Sequence, residues 1–331
     1  MTVNIYDIAR KSGVSIATVS RVLNNNPGVR RQTREAVLAV MEQEGYTPNA
    51  FARGLGLGSM HLVGVLCTDV RDAFYATAVG YVEEYLRLHN MNTILRCTGS
   101  DLEEKKRGLA YVLRQKVDAV VLIGSAFREE SDNAHLKAAA EQVPVIIING
   151  CIPMDGVYCV ASDEHGAAKD VINKLIQRQK KDILLLHDAD TYSCQQKIAG
   201  YREAYAENGL TYDPQRIIRV DRDMDAVNAC IKRLLMQNIH FDAVIGTEDI
   251  LALAAQKALQ RIGLSSMPVV GFNNSVLARC ATPEITSIDN EVGALCSLAM
   301  HTLTDLLDGK TPPQQQVIPA KLVERDSFRY R

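Results

Sequence analysis

Residues 5–23, IYDIARKSGVSIATVSRVL, constrain this chain more than any other stretch. Ile8 and Ala9 put apolar or small groups on one side of a first short helix, Gly13 permits a tight turn, and Val14 packs at the corner. Val19 and Val22 fall three apart on one face of a second helix, as helical packing requires. Ser15 is placed to cap that helix with its side-chain oxygen. The outward set is Ile16, Ala17, Thr18, Ser20 and Arg21. Small, polar and basic groups at the start of an exposed helix suit insertion into a DNA major groove. An ordinary helical hairpin shares some of these features, but the Ala9–Gly13–Val19 spacing favours DNA binding.

Asn24 to Gly28 breaks the second helix, and the pattern predicts a third from about Thr33 to Glu44. Its apolar face is Ala36, Val37, Val40 and Met41, with Gly45 as the residue just past its end. In order, DIARKSGVSIATVSRVLN, TREAV, EGYTPN and ARGL resemble the headpiece of the lactose/galactose repressor (LacI/GalR) family of bacterial transcriptional regulators. The resemblance places Ile16 and Ala17 at the start of the recognition helix, against thymine methyls. Arg21 takes a guanine, because a guanidinium donates twice to O6 and N7. Ser15, Thr18, Ser20, Asn24 and Thr33 are assigned to phosphates and register. Thr33 serves equally well as a helix-start residue, and Arg30 stands where the family often has a capping serine.

The run Gly54-Leu55-Gly56-Leu57-Gly58 superficially resembles a dinucleotide loop, which should follow a strand and open a helix. Here it precedes the first strand of the body. In the resembled family this segment is the hinge that docks in the minor groove, so Asn49, Ala52 and Leu55 are its expected contacts and Leu55 its wedge. Three glycines each disfavour helix by roughly 0.8–1.0 kcal/mol against alanine, so this hinge should order only on DNA.

The net charge of −2 would alone argue against a nucleic-acid partner, but its distribution matters more. Through Arg34 the chain carries six Lys or Arg residues against Asp7 alone, a local balance of +5, which leaves −7 for the rest. A basic head on an acidic body suits phosphate contacts confined to one end. With 331 residues the chain has room for two or three domains. No apolar run reaches the length of a membrane span, and the first residues do not resemble a signal peptide, so a cytoplasmic, nucleoid-associated protein is expected. The eight cysteines form no C-x-x-C pair, so neither a metal site nor a disulfide framework is expected.

From Leu62 the pattern turns to apolar strands alternating with helices. Strands are predicted at 62–66, 92–95, 118–123 and 143–148, and in a second round from about Ala161 at 182–186, 216–220, 242–246 and 268–272. Continuous apolar runs of this kind are typical of strands buried on both faces of a parallel sheet. The expected fold is multidomain: an all-α headpiece and hinge, then a two-lobed α/β body with doubly wound parallel sheets and a cleft between lobes. DEHGA at 163–167, AGY at 199–201, Glu248-Asp249, VGFN at 270–273 and LVERDS at 322–327 match the family in order. The resemblance implies a body like periplasmic sugar-binding proteins, with crossings between lobes near Ala161, Ile288 and Ala320. The domains are then 1–48 headpiece, 49–60 hinge and 61–331 body, with lobe 1 at about 61–161 and 291–319 and lobe 2 at about 162–290 and 320–331.

The resemblance maps effector contacts onto Asp69, Phe74, Asn149, Lys197, Glu248, Asp249 and Asn273. Lys197 replaces a common arginine, while Asn149 and Asn273 stand where carboxylates are frequent. Losing acids and keeping a cation makes room for an anionic ligand, so the expected effector is a sugar, sugar acid or sugar phosphate, with no cofactor and no metal. The alternative is that Lys197 faces solvent. Partners are a pseudo-palindromic operator duplex and a second copy of the chain, because one headpiece reads only a few base pairs. With no leucine-heptad tail after Leu322 to Arg325, a dimer through lobe faces is expected. The function expected is a transcriptional regulator, a repressor of a carbohydrate-catabolism operon. A protein co-effector is an alternative. A sugar-binding protein without DNA function is opposed by the headpiece, and a two-lobed α/β enzyme lacks any placed glycine fingerprint, Walker motif or G-x-S-x-G.

Overall fold

The structure, a computed structural model, describes residues 3–23, 26–46, 60–130 and 132–329. Asn24 and the hinge positions Asn49, Ala52 and Leu55, with the glycine run 54–58, lie outside the described residues.

The headpiece starts with α1 (Ile5–Ser12). Asn4 caps it by accepting from the Tyr6 and Asp7 N–H groups at 2.9 and 3.1 Å, and the Asp7 carboxylate returns to the Asn4 N–H at 3.2 Å. This reciprocal pair satisfies donors that a bare helix end leaves open. Gly13 then takes φ +66°, a left-handed turn that a side chain would strain. Ser15 Oγ accepts from the Thr18 N–H at 3.2 Å and so opens α2 (Ile16–Leu23). Helix α3 (Arg31–Gln43) begins earlier than the apolar spacing predicts, and Arg30 gives it no side-chain cap. It ends where Tyr46 N–H and Gly45 N–H donate to Met41 O and Glu42 O at 2.9 and 3.2 Å. The core is Ile8, Ala9, Val19, Val22, Val37 and Met41; Ala36, read as part of the packed face, is exposed.

The first body sheet holds β1 (Leu62–Cys67), β2 (Asn92–Cys97), β3 (Ala119–Ile123), β4 (Val145–Ile148), β5 (Val157–Ser162) and β11 (Gln315–Ile318). Its order is β11-β5-β4-β3-β1-β2, every pair parallel. The second holds β6 (Ile183–His187), β7 (Ile217–Arg219), β8 (Ala243–Gly246), β9 (Val269–Phe272), β10 (Thr286–Asp289) and β12 (Lys321–Val323). Its order is β12-β10-β9-β8-β6-β7, and only β12 runs antiparallel. Buried apolar clusters flank each sheet on both faces, because strands such as AVVLI at 119–123 and ILLL at 183–186 are continuous apolar runs.

Helices α4 (Ala73–Leu88), α5 (Leu102–Arg114) and α6 (Ala134–Ala140) belong with the first sheet. With the second are α7 (Glu164–Gln177), α8 (Tyr192–Glu207), α9 (Met224–Met236), α10 (Asp249–Arg261), α11 (Val276–Cys280) and α13 (Asp326–Arg329). Helix α12 (Val292–Leu307) follows the second-sheet strand β10 yet packs Leu295, Ala299 and Leu303 into the first sheet's core. The chain thus passes between the sheets after β5, after β10 and between β11 and β12. The apolar pattern does not mark four of these strands, β5, β10, β11 and β12. β11 alternates exposed and half-buried positions as Gln-Gln-Val-Ile, with no apolar run to reveal it.

Candidate DNA-binding face and interlobe cleft

On α2 the buried stripe is Val19 and Val22, which leaves the opposite face free. Ile16 is 41% exposed, and Ala17 and Arg21 are exposed. Thr18 and Ser20 are half-buried at its flank; Thr18 Oγ1 lies 2.9 Å from Ser15 Oγ, so one of the two hydroxyls donates to the other. Thr33 sits half-buried in the first turn of α3.

Between the two sheets lies a cavity of ≈ 400 Å³, facing the carboxyl ends of β1, β3, β4, β6 and β8. Ligand crevices of doubly wound sheets form at such ends, and the volume falls in the usual range of about 300–1,000 Å³. Asp69, Phe74, Asn149, Lys197, Glu248 and Asn273 all line it. Gly124, at φ +100°, leaves the space that Tyr75 fills in the wall, since a Cβ there would meet the ring at 2.5 Å.

Asp249 is the correction. It does not line the cavity: its carboxylate accepts from Ser287 Oγ and from the Ser275 N–H, both at 2.6 Å, inside the second lobe. Burial raises its pKa, and these two donors oppose that rise. As the first residue of α10 it turns toward Gly271, whereas Glu248, one residue earlier, still faces the cleft.

Lys197 is neither in solvent nor a loose cation. It is 2% exposed, its Nζ donates to Thr247 O at 3.0 Å, stands 3.2 Å from Glu164 Oε1 and lies 4.5 Å from the centre of the Phe272 ring. Burial pulls its pKa down, but the carboxylates of Glu164 and Glu248 outweigh that and hold it above the ordinary lysine value. Glu164 is a meeting point, because Asn149 Nδ2 and Asn290 Nδ2 also donate to its Oε1, at 3.4 and 3.1 Å.

Asn149 and Asn273 end β4 and β9 in matching ways. Both take left-handed backbone, φ +57° and +89°, a region that asparagine tolerates better than most residues. Each gives its N–H to the adjacent strand, at Val160 O and Ile288 O, and its side-chain amide to an acid, Glu164 and Glu248 respectively.

Sequence reasoning missed Arg222, the second cation of the cavity. It comes from the loop between β7 and α9, binds Asp188 Oδ2 at 2.7 Å and reaches across to Asp72 in the other lobe. Asp72 is already the cap of α4, accepting from the Phe74 and Tyr75 N–H groups at 2.8 and 3.2 Å. Burial works against the Arg222 charge, but the surrounding carboxylates of Glu248, Asp188 and Asp72 raise its pKa. Glu248 itself is pushed up to about 8, mainly by burial, although Lys197 and Arg222 oppose the rise. At the rim Asp69 is lowered to about 2 by hydrogen bonds from Arg71. No strand or helix pattern marks Arg222, Asp188, Asp72 or Glu164 as one group. A second set of contacts joins the lobes: Ser193 N–H to Ser125 Oγ at 3.2 Å, Gln195 to Glu130 at 2.8 Å, and Arg128 over the Tyr192 ring at 4.5 Å.

The profile of bacterial regulatory proteins of the lacI family matches residues 4–49, and that of periplasmic binding proteins and the sugar binding domain of the LacI family matches residues 60–301. The chain belongs to the LacI family. An HTH-type transcriptional regulator of Lachnoclostridium phytofermentans is 40% identical over 99% of this chain and 100% of its own length. Catabolite control protein A of Priestia megaterium is 29% identical over 99% of both chains. Among solved structures, a Lac repressor dimer bound to operator and the anti-inducer ONPF matches at TM-score 0.87 over 99% of each chain, at 23% identity, and so shows the shared fold. A CelR–cellobiose complex matches at TM-score 0.72 and 26% identity over 98% of this chain and 99% of its own. This LacI-family chain is a DNA-binding transcriptional regulator with a helix-turn-helix headpiece and a two-lobed body. Among the described residues no helix is long and apolar enough to cross a membrane, and no group of three or more His, Cys, Asp or Glu residues is placed to hold a metal.

Proposed function

We propose that this regulator represses a carbohydrate-catabolism operon in the cytoplasm, as a homodimer on a pseudo-palindromic operator, and that a neutral sugar in the interlobe cleft changes its operator affinity. The division of labour is headpiece 1–48, hinge 49–60 and effector-binding body 61–331. Ile16, Ala17 and Arg21 read bases, and Ser15, Thr18, Ser20, Asn24 and Thr33 hold phosphates and register. Asn49, Ala52 and Leu55 serve the minor groove. In the cleft the ligand meets Asp69, Phe74, Asn149, Glu248 and Asn273, with Arg222 and Asp188 added to that set.

The observation that carries the neutral-sugar reading is the charge of the cavity wall. Four carboxylates (Asp69, Asp72, Glu164 and Asp188) and the proton-holding Glu248 face two cations, and both cations already hold carboxylates. A sugar acid or phosphate would have to enter against that excess of acid. Hydroxyl groups, by contrast, accept from a guanidinium and donate to a carboxylate in one ligand. The similar CelR–cellobiose complex supports the same class.

The test is a gel shift of the full chain on operator DNA with neutral mono- and disaccharides and with their phosphate esters. A neutral sugar should change the shift and its phosphate ester should not. Response to the esters alone would sink the proposal.

A further inference from the structure

Cys67 ends β1 and Cys97 ends β2, and the two are register partners across the parallel ladder. Their sulfurs lie 3.9 Å apart. Neighbouring strands run about 4.8 Å apart, inside the Cα separation of roughly 4.4–6.8 Å that a disulfide spans. From 3.9 Å the sulfurs have about 2 Å to close to reach the disulfide length of about 2.05 Å. Cys97 is exposed on an edge strand, while Cys67 is completely buried. Burial, with Cys97 and Asp69 nearby, pushes the Cys67 thiol up to about 12, so an oxidant meets Cys97 first.

The pair also borders the cleft. Thr68 and Asp69 follow Cys67, Gly99 and Ser100 follow Cys97 by two and three residues, and all four line the cavity. Thr98 N–H and Gly99 N–H donate to Cys67 O and Thr68 O at 3.0 and 2.9 Å, so hydrogen bonds tie these strand ends together beyond the cysteines.

We propose that Cys67 and Cys97 form an oxidisable dithiol, closed to a disulfide by hydrogen peroxide, that fixes one wall of the effector cavity. In the first step Cys97 sulfur attacks the peroxide; its S–O bond forms as O–O breaks, and the released oxygen leaves as water with the thiol proton. In the second step Cys67 sulfur attacks Cys97 sulfur. The S–S bond forms, S–O breaks, and the hydroxyl leaves as water with the Cys67 proton. Two thiols give up two electrons, and one peroxide is reduced to two waters. A thiol reductant reverses it. This inference does not depend on which sugar the cleft takes.

The experiment treats the full chain with hydrogen peroxide, digests it without reductant and maps linked peptides by mass spectrometry. The expected product joins the Cys67 and Cys97 peptides with loss of two hydrogens, disappears with dithiothreitol and is absent from Cys97→Ser. Amide exchange at 98–100 should slow on oxidation and recover on reduction. In Cys67→Ala, Cys97 should oxidise without an intramolecular link, which keeps the test open should Cys97→Ser misfold. Cys97 running on to sulfinic acid while Cys67 stays a thiol would overturn the proposal. A Cys97–Cys97 bond between two copies would overturn it as well.

Discussion

On α2 the side chains assigned to DNA point away from the protein: Ile16 and Arg21 stand exposed above a buried Val19 and Val22. In the cleft every charged side chain already has a partner of its own. Arg222 holds Asp188 and Asp72, Lys197 holds Glu164, and Asn273 serves Glu248. The two surfaces therefore bind by different routes. DNA adds contacts to an exposed face, and its affinity follows the number of phosphates and bases reached. A cleft ligand must replace contacts that hold the lobes together, notably Arg222 with Asp72. A ligand shifts a conformational equilibrium only through such differential contacts, so the cleft is built for switching and the headpiece for recognition.

Lys197→Ala should show the largest effect, because it leaves Glu164 buried without its cation. Breaking a buried pair costs about 3–5 kcal/mol, read as a lower urea midpoint for the body with headpiece secondary structure unchanged. Full stability together with a lost sugar response would break the comparison, making Lys197 a ligand contact instead of a strut. Arg21→Ala should leave stability alone and cost roughly 1–3 kcal/mol per half-site in operator binding, with relaxed base preference. Gel shifts of a half-site library check this, and undiminished discrimination would show that α2 does not read bases through Arg21.

The remaining effect is on pH. Glu248 holds its proton up to about 8 when folded but releases it near 4.5 when unfolded. Between those values the folded state binds the extra proton, so its contribution is complete at the low end of the window and is lost as pH rises toward 8, by up to about 1.4 kcal/mol per unit. His135, whose pKa burial lowers below the ordinary 6.5, works in the opposite sense on the acid side of that value. Chemical denaturation of Glu248→Gln should therefore lack this downward slope. An identical slope in wild type and variant would mean the cleft acid is ionised throughout.

The headpiece was readable because its contacts are local: the Ala9–Gly13–Val19 spacing fixes the turn and the stripe without distant residues. Most strands of both sheets were readable for a similar reason, since parallel strands buried on two faces are continuous apolar runs. The cleft was only half readable. Resemblance placed Asn149, Glu248 and Asn273 at strand ends, where the structure puts them on the cavity wall. It could not say which neighbour of the Glu248-Asp249 pair faces inward, because helix start and side-chain direction decide that. Arg222 and Asp72 are 150 positions apart, and only the packing of two lobes brings them together. Strand β11 escaped because an edge strand of mixed polarity has no apolar signature.

The link from β11 to β12 is Pro319-Ala320, so the last strand of each sheet comes from a stretch of nine residues, 315–323. Neither lobe is a continuous segment of the gene. A premature stop before codon 315 would strip an edge strand from both sheets at once, and with it the α13 residue Phe328, buried in the second lobe. Truncation cannot yield either lobe by itself. To free one, an engineer would have to splice separate pieces of the reading frame or rejoin them in a new order.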